Sequence, residues 1–477
     1  MTSRSWRASA LFIAVAATTT ACLLAPTSTA AAATTVETAA AALGFGANRV
    51  TELTSSGDIT SVLATEAKSE GSATQAHVIH LSGASVTVNA IIRPANHVYL
   101  VVEPKTRVSW RGANTNLLRF ASDAGRVTGG VYGGIWDGAG RGSTNLIHLG
   151  NATVRLAELT VTHAGKNGIA AYGKSSLTLS TVTATDNESS GVYVAESSNL
   201  TASGLQATSN QRNGVQLAGG SVGSITNSVL DRNGQAVKGS TTGKTGHGLG
   251  VASGSVTVVS SSMSGNEVCG VSLTDGADAT ISGYSHLDRN GRHGLGTVPG
   301  STATVSDSTV ASNGYNGVLA SGRGTRVALQ RVAITSTNRS GLSVPSGGTA
   351  TMEGTTISGP RTGSNKYNIS VSGKGRLKLL SGNTISRSRS HGITVSGKGR
   401  IEISGAGNLI ASNRGDGLRL TGSGTTGRIS ASVTFRDNRR SAIVVVSRAK
   451  LEMVTTCIYS GNTGRVEKRS GGRVSSL

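Results

Sequence analysis

Cysteine is scarce in this chain, with three residues among 477, of which one, Cys22, lies in an apolar segment near the start. About seven to eight units of a repeat of roughly 24 residues separate the other two, Cys269 and Cys457. At ~4.8 Å per stacked strand, that separation is roughly 35 Å, which no disulfide spans. We therefore expect two buried free thiols and a fold that is stabilised by packing rather than by cross-links.

Long apolar runs are absent beyond the first 24 residues. Arg4 and Arg7 precede the apolar stretch 8–24, and small residues that suit a cleavage site follow it, as in a secretory signal peptide. A lipid anchor at Cys22 is the alternative, but the residues that follow this cysteine are apolar. We expect 1–34 to be a signal peptide and the mature protein to be a secreted, extracellular monomer without a membrane-embedded part.

Acidic and aromatic residues are also few. The chain has 24 Asp and Glu against 45 Lys and Arg, a formal net charge of +21, and only 3% aromatic residues. Such a basic protein favours polyanionic partners such as acidic polysaccharide, anionic cell wall or nucleic acid, or else its charge only keeps it soluble. Because aromatic residues for base stacking are scarce and export removes the chain from genomic DNA, we expect no nucleic-acid partner.

A repeat with a period near 24 residues dominates the rest of the sequence. Each unit has a small residue, usually Gly, followed by an apolar–variable–apolar triplet. The twelve units start at Gly168, Gly191, Gly214, Gly248, Gly270, Gly294, Gly317, Gly341, Asn368, Gly392, Gly417 and Ala442. Strand-type alternation at this period indicates a β-solenoid. The missing 3.6-residue period excludes a helical solenoid, and a propeller would need a longer repeat.

A column of asparagines precedes the repeat glycines, mostly by four residues. Its members are Asn187, Asn210, Asn233, Asn266, Asn290, Asn313, Asn338, Asn365, Asn413 and Asn438, with Ser388 at the corresponding place before Gly392. Asn tolerates left-handed backbone and suits a tight bend, and stacked Asn side chains can bond into a ladder. Two further alternating runs precede each Asn, so each coil holds three strands.

This Asn ladder with its Gly-Ile/Val-x-Leu/Val strand resembles the parallel β-helix repeat of the pectate-lyase-like superfamily, over about residues 78 to 458. The resemblance implies an all-β, right-handed parallel β-helix, in line with the strong preference for right-handed crossovers. We expect this β-helix to occupy 78–460 and a disordered basic tail to occupy 461–477. Within 35–77 we expect a capping helix that covers the open end of the cylinder; Asp58 caps it, and its buried face is Ile59, Val62, Leu63 and Ala67.

The resemblance also implies that a sugar chain binds in a groove outside one sheet. Three catalytic constellations of such enzymes are not matched. Stacked acids that hold Ca²⁺ are missing, and so is the Asp-Pro-His-Glu motif of epimerases. Gly246-His247-Gly248 copies an element of polygalacturonase-like hydrolases, but its partner carboxylates are missing, and His247 fills the ordinary slot before a repeat glycine, as His293 and His391 do. Asp137, in a Gly-rich segment, is interpreted as structural. The sequence identifies no metal ligands and no cofactor.

A basic column is the remaining candidate site. Two sets of residues occupy equivalent positions 24 residues apart: Lys374, Arg376 and Lys378 in one coil, and Lys398, Arg400 and Glu402 in the next. The two sets are therefore predicted to stack. Like charges ~4.8 Å apart repel by about 1 kcal/mol in water, which favours an anionic ligand between them. Two alternatives stay open: solvent screens the charges, or the column protects the sheet edge against aggregation. The predicted substrate-binding residues are Arg323, Lys374, Lys378 and Arg448. The predicted catalytic residues are Lys398 as base, with Arg376 or Arg400 neutralising a uronate carboxylate.

One 34-residue step between repeat glycines inserts about 11 residues at 234–244, where Lys238 and Lys244 could grip a chain or simply lie on a tolerated loop. The sequence thus favours a secreted β-helix that acts on acidic polysaccharide, by lyase-type cleavage of a uronate-containing glycan. A non-catalytic β-helix that binds cell-wall or matrix glycans is the alternative.

Overall fold

The chain winds as a three-sided parallel β-helix in which every strand pairs with the strand one coil away in the same sheet. The computed structural model describes residues 36–46, 48–54, 56–113, 115–123, 125–140, 144–234, 246–359 and 367–477. Residues 1–34 lie outside them, so the signal peptide stays a prediction. The described helices are α1 (Val36–Leu43) and α2 (Thr60–Glu66), and neither is long and apolar enough to cross a bilayer.

Sheet A has 18 strands that pair in chain order. They are β1 (Asn48–Thr54), β3 (Ala76–Ser82), β5 (Val98–Val102), β8 (Val127–Tyr132), β11 (Ala152–Ala157), β14 (Ser176–Ser180), β17 (Asn199–Ser203), β20 (Val222–Thr226), β22 (Ser255–Val259), β24 (Asp278–Ser282), β26 (Thr302–Ser306), β29 (Arg326–Gln330), β32 (Thr349–Glu353), β35 (Arg376–Leu379), β38 (Arg400–Ile403), β41 (Thr426–Ile429), β44 (Lys450–Met453) and β47 (Arg473–Ser476).

Sheet B consists of two seven-stranded segments, which the isolated bridges of Val229, Ser262 and His286 connect. The first segment contains β2 (Gly57–Asp58), β4 (Ser85–Val88), β6 (Arg107–Trp110), β9 (Ile135–Asp137), β12 (Thr160–Thr162), β15 (Thr183–Thr185) and β18 (Gln206–Thr208). The second contains β27 (Thr309–Ala311), β30 (Ala333–Thr335), β33 (Thr356–Ser358), β36 (Thr384–Ser386), β39 (Asn408–Ala411), β42 (Val433–Arg436) and β45 (Ile458–Ser460).

Sheet C is built from the Gly-triplet segments and has 15 strands. They are β7 (Leu118–Ala121), β10 (Ile147–Gly150), β13 (Ile169–Tyr172), β16 (Val192–Val194), β19 (Val215–Ala218), β21 (Leu249–Ala252), β23 (Val271–Thr274), β25 (Leu295–Thr297), β28 (Val318–Ala320), β31 (Leu342–Val344), β34 (Ile369–Val371), β37 (Ile393–Val395), β40 (Leu418–Thr421), β43 (Ser441–Val446) and β46 (Gly464–Arg469).

Strand alternation puts one set of side chains inside the cylinder. In β14, Leu177 and Leu179 are buried, while Ser180 is exposed. Leu177 is in register with Leu200 of the next coil, so apolar side chains stack along the axis. The result is one continuous core cluster from Ile59 to Cys457, and each fully buried aliphatic side chain in it contributes about 1.5–3 kcal/mol. Both Cys269 and Cys457 are buried and free, as predicted.

The predicted Asn ladder is present. Asn187 Nδ2 donates to Asn210 Oδ1 at 2.8 Å, Asn210 to Asn233 at 3.1 Å, and the series continues to Asn313 through fully buried side chains. The ladder also explains the repeat glycine. A Cβ added to Gly191 would lie 2.8 Å from Asn210 Nδ2 and 2.9 Å from a backbone oxygen, so the amide of the next coil needs a small neighbour.

One member of the predicted ladder, Asn338, differs from the prediction. In the coil of Gly341, Thr337 is buried and takes the ladder slot, whereas Asn338 follows it and is half-buried. The ladder position lies four residues before the repeat glycine, which is Thr337. The prediction chose Asn338 by residue type, although it lies only three residues before Gly341. Asn365 lies outside the described residues. Beyond the prediction, Asn462 accepts a 2.8 Å hydrogen bond from Asn438 Nδ2 and extends the ladder by one coil.

The N-terminal cap differs in its details. Helix α2 buries Leu63 and Ala67 as predicted, but Val62 is 49% exposed because it points away from the core. Ile59, not Asp58, is the N-cap residue; Asp58 instead accepts the Thr60 N–H at 2.8 Å. The β-helix also begins before residue 78, since β1 pairs with β3 along seven residues. Helix α1, which was not predicted, packs on the outer face of sheet A at Tyr99, Val101, Tyr132 and Ala157.

The segment 461–477 is ordered, contrary to the prediction of a disordered tail. Its strands β46 and β47 pair with β43 and β44. Composition argued for disorder, but the preceding coil offers a row of backbone donors and acceptors, and pairing with them satisfies the backbone of a polar segment.

Candidate functional site

The predicted basic column lies on the outer face of sheet A and on the turns that lead into it from sheet C. Arg376 and Arg400 are direct register partners on β35 and β38. The same column continues through Thr426, Lys450 and Arg473. Arg376, Arg400 and Lys450 point outward, because each starts a strand whose next residue is buried.

Lys374 and Lys398 stack on consecutive coils, as predicted. Lys374 N–H donates to Gly397 O at 3.0 Å, and both lysines are exposed at positive φ, 68° and 65°. Glycines occupy the same register position in the neighbouring coils, Gly347 and Gly424. The stem of Lys398 lies over Gly424, where an added Cβ would be 3.1 Å from Lys398 Cγ. Backbone conformation thus fixes both lysines at the rim of sheet A.

Arg448 occupies the same left-handed turn position two coils beyond Lys398, with φ 63°. Arg323 does not belong to this column. Nine residues separate Gly317 from Arg326, whereas eight separate Asn368 from Arg376, so the extra residue shifts Arg323 by one register position. Arg323 nevertheless lines the same groove.

Arg326 was missed by the sequence analysis. It is the true equivalent of Arg376, two strands away through Thr349. Aligning the sheet A strands, rather than counting from the repeat glycine, would have found it.

Lys378 differs from the other predicted binding residues because it has an anionic partner. Its Nζ lies 3.5 Å from Glu402 Oε1 of the next coil. The column then continues through Arg428 and Glu452, so its charges alternate in sign. By contrast, none of Arg376, Arg400, Lys374 and Lys398 lies within 4 Å of a carboxylate in the described part of the chain.

Two connected depressions form this groove. One, of about 610 Å³, is lined by the cations Arg376, Lys378, Arg400, Arg428 and Lys450 and by the acids Glu402 and Glu452. The other, of about 750 Å³, is lined by Arg323, Arg326, Lys374 and Lys398. They share Thr349 and Arg376. We call the two together the sheet A groove. It is an open trough along the helix axis, which suits an extended chain better than a compact ligand.

The charge of the protein is concentrated in the same part of the chain. Residues 367–477 contain 19 Lys and Arg against 5 Asp and Glu, a formal charge of +14 out of +21 for the whole sequence. Four of these five acids are paired with basic side chains of this region. Glu402 pairs with Lys378, Asp416 with Arg419, Asp437 with Arg436, and Glu467 with Arg469. The C-terminal coils therefore carry a strong uncompensated positive field.

Of the three histidines before repeat glycines, the rings of His293 and His391 accept hydrogen bonds in a second ladder, whereas His247 Nδ1 is buried with no hydrogen-bond partner in the described part of the chain. His293 Nδ1 accepts the Asn316 N–H at 3.4 Å, and His391 Nδ1 accepts the Asp416 N–H at 2.9 Å. Asn213 Oδ1 in the same slot accepts the His247 N–H at 2.9 Å. Burial first, then Arg292, lowers the pKa of both His247 and His293 to about 4, so both rings are neutral at pH 7. This supports the structural interpretation of His247.

Two acidic residues, Asp137 and Asp416, are paired with basic groups. Asp137 contacts Arg107 and lies 3.2 Å from His163 Nδ1. Burial alone would raise the pKa of the Asp416 carboxyl, but His391 and Arg419 lower it below its usual value. In the described residues, no three His, Cys, Asp or Glu side chains are grouped so that they could hold a metal ion. Lys238 and Lys244 lie outside the described residues.

An aromatic stack on the outer face of sheet C was also missed. The His148 and Tyr172 rings are 5.2 Å apart, and the Tyr172 and Tyr193 rings 5.6 Å. Burial first, then Arg119, lowers the pKa of His148 to about 4. His148 and Tyr193 share a register column with Ala170 between them, whereas Tyr172 lies two residues further along its strand, so aligning the sheet C strands would not have found the stack.

Several known proteins are similar to this chain in structure. They include the A-module of the mannuronan C-5 epimerase AlgE4 of Azotobacter vinelandii (14% identity, 91% of this chain and 97% of that one, TM-score 0.44). Others are the pectate lyase Pel9A (16%, 50% and 68%, TM-score 0.35) and PfbA, a surface adhesin of Streptococcus pneumoniae (12%, 81% and 83%, TM-score 0.32). At such identities and TM-scores, these similarities decide neither substrate nor activity. A comparison with curated proteins found no match.

The repeat itself identifies the family. Residues 141–283, 240–331 and 323–473 match the family described as "Right handed beta helix region", which together is well over half of the chain. This match, the parallel pairing of successive coils and the Asn ladder confirm the predicted fold class and its resemblance to the pectate-lyase-like superfamily. The chain belongs to the right-handed β-helix family.

Proposed function

We propose that this protein is a secreted, extracellular β-helix protein that binds an acidic polysaccharide along the sheet A groove. The observation that carries the proposal is the pair of stacked, unpaired cation sets on consecutive coils: Lys374 with Arg376, and Lys398 with Arg400. Their mutual repulsion is relieved when an anion lies between them, which favours a ligand that carries several negative charges in a row.

A polymer fits this groove better than a small anion. Cations recur along the axis at Arg326, at Arg376 and Arg400, and at Lys450 and Arg473, in steps of one or two coils of ~4.8 Å. A uronate chain presents carboxylates at a repeat of comparable length, so successive sugars can meet successive coils.

Lyase-type cleavage at the same groove is the second candidate function. Lys398, in its neutral form, would remove the proton next to a uronate carboxylate, while Arg376 or Arg400 neutralises that carboxylate. The bond to the departing sugar oxygen then breaks, a carbon–carbon double bond forms, and the leaving oxygen takes up a proton. The observation that favours this candidate is that these three residues line one connected groove.

Binding can be tested by retention of the full mature chain on immobilised polygalacturonate, alginate and hyaluronan in a salt gradient. The variant Lys374→Gly/Lys398→Gly copies the residues of the neighbouring coils, Gly347 and Gly424, so its backbone conformation is preserved. We expect it to elute at clearly lower salt than the wild type. Lys174 occupies the same kind of turn, with φ 62°, outside the groove. The control variant Lys174→Gly should elute with the wild type.

Retention that is equal in the wild type and the Lys374→Gly/Lys398→Gly variant would contradict the proposed site. Cleavage is tested separately, by following the ultraviolet absorbance of unsaturated uronates with the same three polymers. An increase that disappears in Lys398→Gly, while retention is only weakened, would support the lyase. No increase with any of them, together with salt-sensitive retention, would leave the binding function alone.

A further inference from the structure

A second basic surface lies on the other side of the same coils, at the turn between sheets B and C. Arg389, Arg414 and Arg439 directly follow the ladder residues Ser388, Asn413 and Asn438. Arg414 N–H donates to Ser388 O and Arg439 N–H to Asn413 O, both at 2.9 Å, so the three arginines stand in register on consecutive coils. Arg387, Arg440 and Arg465 flank them. We call these six residues the arginine ridge.

All six arginines of the ridge are exposed. None of them lies within 4 Å of a carboxylate in the part of the chain that the structure describes. The nearby acids are engaged elsewhere. Asp416 is buried against His391 and Arg419, and Asp437 lies 3.4 Å from Arg436. The ridge is thus a row of unpaired guanidinium groups ~4.8 Å apart.

The composition of the ridge indicates the ligand chemistry. The sheet A groove mixes Lys and Arg, whereas the ridge contains arginine alone. Guanidinium groups bind carboxylate, sulfate or phosphate through two parallel hydrogen bonds, which an ammonium group cannot do. Between residues 387 and 465, Ile458 is the one exposed large apolar side chain, and all these residues are described, so the row lacks the apolar face that would insert into a lipid bilayer. A linear row of this kind fits an extended polyanion.

The two basic surfaces face different directions. In each coil the chain runs from sheet C to sheet A, then to sheet B and through the Asn turn back to sheet C; β34, β35, β36 and β37 show this order. In a three-sided cylinder, the corner between sheets B and C is opposite the face of sheet A. The buried core of the coil separates them. One acidic chain therefore cannot occupy both surfaces in the same coils without wrapping around the cylinder.

We infer that the arginine ridge binds a second acidic polysaccharide chain, so that one molecule of this protein bridges two chains. The inference rests on the proposed function for the groove, and adds a partner site that the groove does not need. Bridging makes the protein a cross-linker of an acidic glycan matrix. Because each chain offers many sites, two-sided attachment strengthens the network far beyond the affinity of either surface.

The test is a sandwich assay with polygalacturonate as the probe on both sides. The full mature chain is captured on immobilised polymer, and fluorescent polymer is then added from solution. The ridge variant Arg389→Gln/Arg414→Gln/Arg439→Gln uses the residue found at this turn position in an earlier coil, Gln211, whose N–H makes the same backbone bond at 2.9 Å. The groove variant replaces Lys374 and Lys398 by Gly and Arg376 and Arg400 by Thr.

We expect the wild type to be captured and to recruit fluorescent polymer. Each single-surface variant should still be captured through its remaining surface, but recruitment should fall by at least about tenfold. A variant with both sets of changes should not be captured. Thermal melts close to that of the wild type would show that the variants are folded.

Three results would overturn the inference. In the first, the wild type is captured but recruits no second chain. In the second, the ridge variant recruits as much polymer as the wild type. In the third, the ridge substitutions reduce binding only of duplex DNA or anionic vesicles, and not of the soluble polymer. Failure of the proposed function gives a different result. In that case the groove variant is captured and recruits polymer as the wild type does, independently of the result for the ridge variant.

Discussion

Arg376 and Arg400 stand opposite each other in register on β35 and β38, with no carboxylate within 4 Å of either in the described residues. The same column holds Thr349 on one side of this pair and Thr426 on the other. Uncharged residues therefore fit this column of the sheet without difficulty. Repulsion between the two stacked guanidinium groups opposes folding, which is expected of a binding surface rather than of residues that stabilise the sheet.

Replacing this pair should separate stability from binding. In Arg376→Thr/Arg400→Thr we expect a melting temperature at low salt that is equal to or above that of the wild type, because repulsion of about 1 kcal/mol is removed. Added salt should raise the melting temperature of the wild type more than that of the variant, since screening relieves the same repulsion. Retention on polygalacturonate should fall. Scanning calorimetry at several salt concentrations measures the first two effects.

Arg326→Thr is the matched control for this prediction, because Arg326 has Thr302 and Thr349 as its neighbours in the column and no stacked like charge. Its melting temperature should show the same salt dependence as the wild type. A double variant that is less stable than the wild type at low salt would mean that the two arginines stabilise the sheet.

The Asn ladder should be a main determinant of stability. Asn210 Oδ1 accepts both the N–H and the Nδ2 of Asn187, and its own Nδ2 donates to Asn233 and to the Ala184 carbonyl. Asn210→Ala leaves these buried groups without partners, so we expect a loss of at least about 2 kcal/mol in the free energy of unfolding. Asn199→Ala, at an exposed position on β17, should change it by less than about 0.5 kcal/mol. Denaturant titration measures both, and equal values would refute the ladder's role.

The parts of the fold that could be predicted from the sequence are those set by a constant repeat. Lys374 and Lys398 are 24 residues apart, one coil, so their stacking followed from counting. Arg323 shows where counting fails. One extra residue in its turn shifts it out of the column and puts Arg326 there instead, and the lengths of irregular turns leave no trace in the pattern of apolar residues.

Elements outside the repeat were harder to predict for a different reason. Helix α1 is short and rich in alanine, so it shows no clear polar face; only the apolar outer surface of sheet A at Tyr99 and Val101 explains its position. The tail 461–477 has a composition typical of disorder, yet it is ordered by pairing with the coil before it. The arginine ridge was not predicted because its members lie in the turn beside the Asn ladder, where the repeated Asn is the dominant pattern and the charges vary from coil to coil.

Cys269 is expected to be chemically inert in the folded protein. It is buried, and burial raises the pKa of its thiol to about 11, against the usual value near 9. Because the thiolate is the reactive form, alkylation at pH 8 should be very slow until the chain is unfolded. Mass spectrometry after iodoacetamide treatment, with and without denaturant, checks this. Fast labelling of Cys269 without denaturant would show that the coil around it opens readily.

Acid should destabilise the fold through three histidines that are partly or fully buried. His148, His247 and His293 each have a pKa lowered to about 4, against 6.5 when unperturbed, so between these values the unfolded chain binds more protons than the folded one. Their contribution to stability is fully present above pH 6.5 and is lost as the pH falls towards 4. His293→Asn removes one titrating ring but keeps the acceptor, because Asn316 in the same slot already accepts the Ser340 N–H at 3.2 Å. We expect this variant to melt close to the wild type at pH 7 and above it at pH 4.5. The control His293→Leu, which lacks the acceptor, should be less stable than the wild type at both pH values. If His293→Asn loses as much stability on acidification as the wild type does, His293 does not contribute to the acid sensitivity.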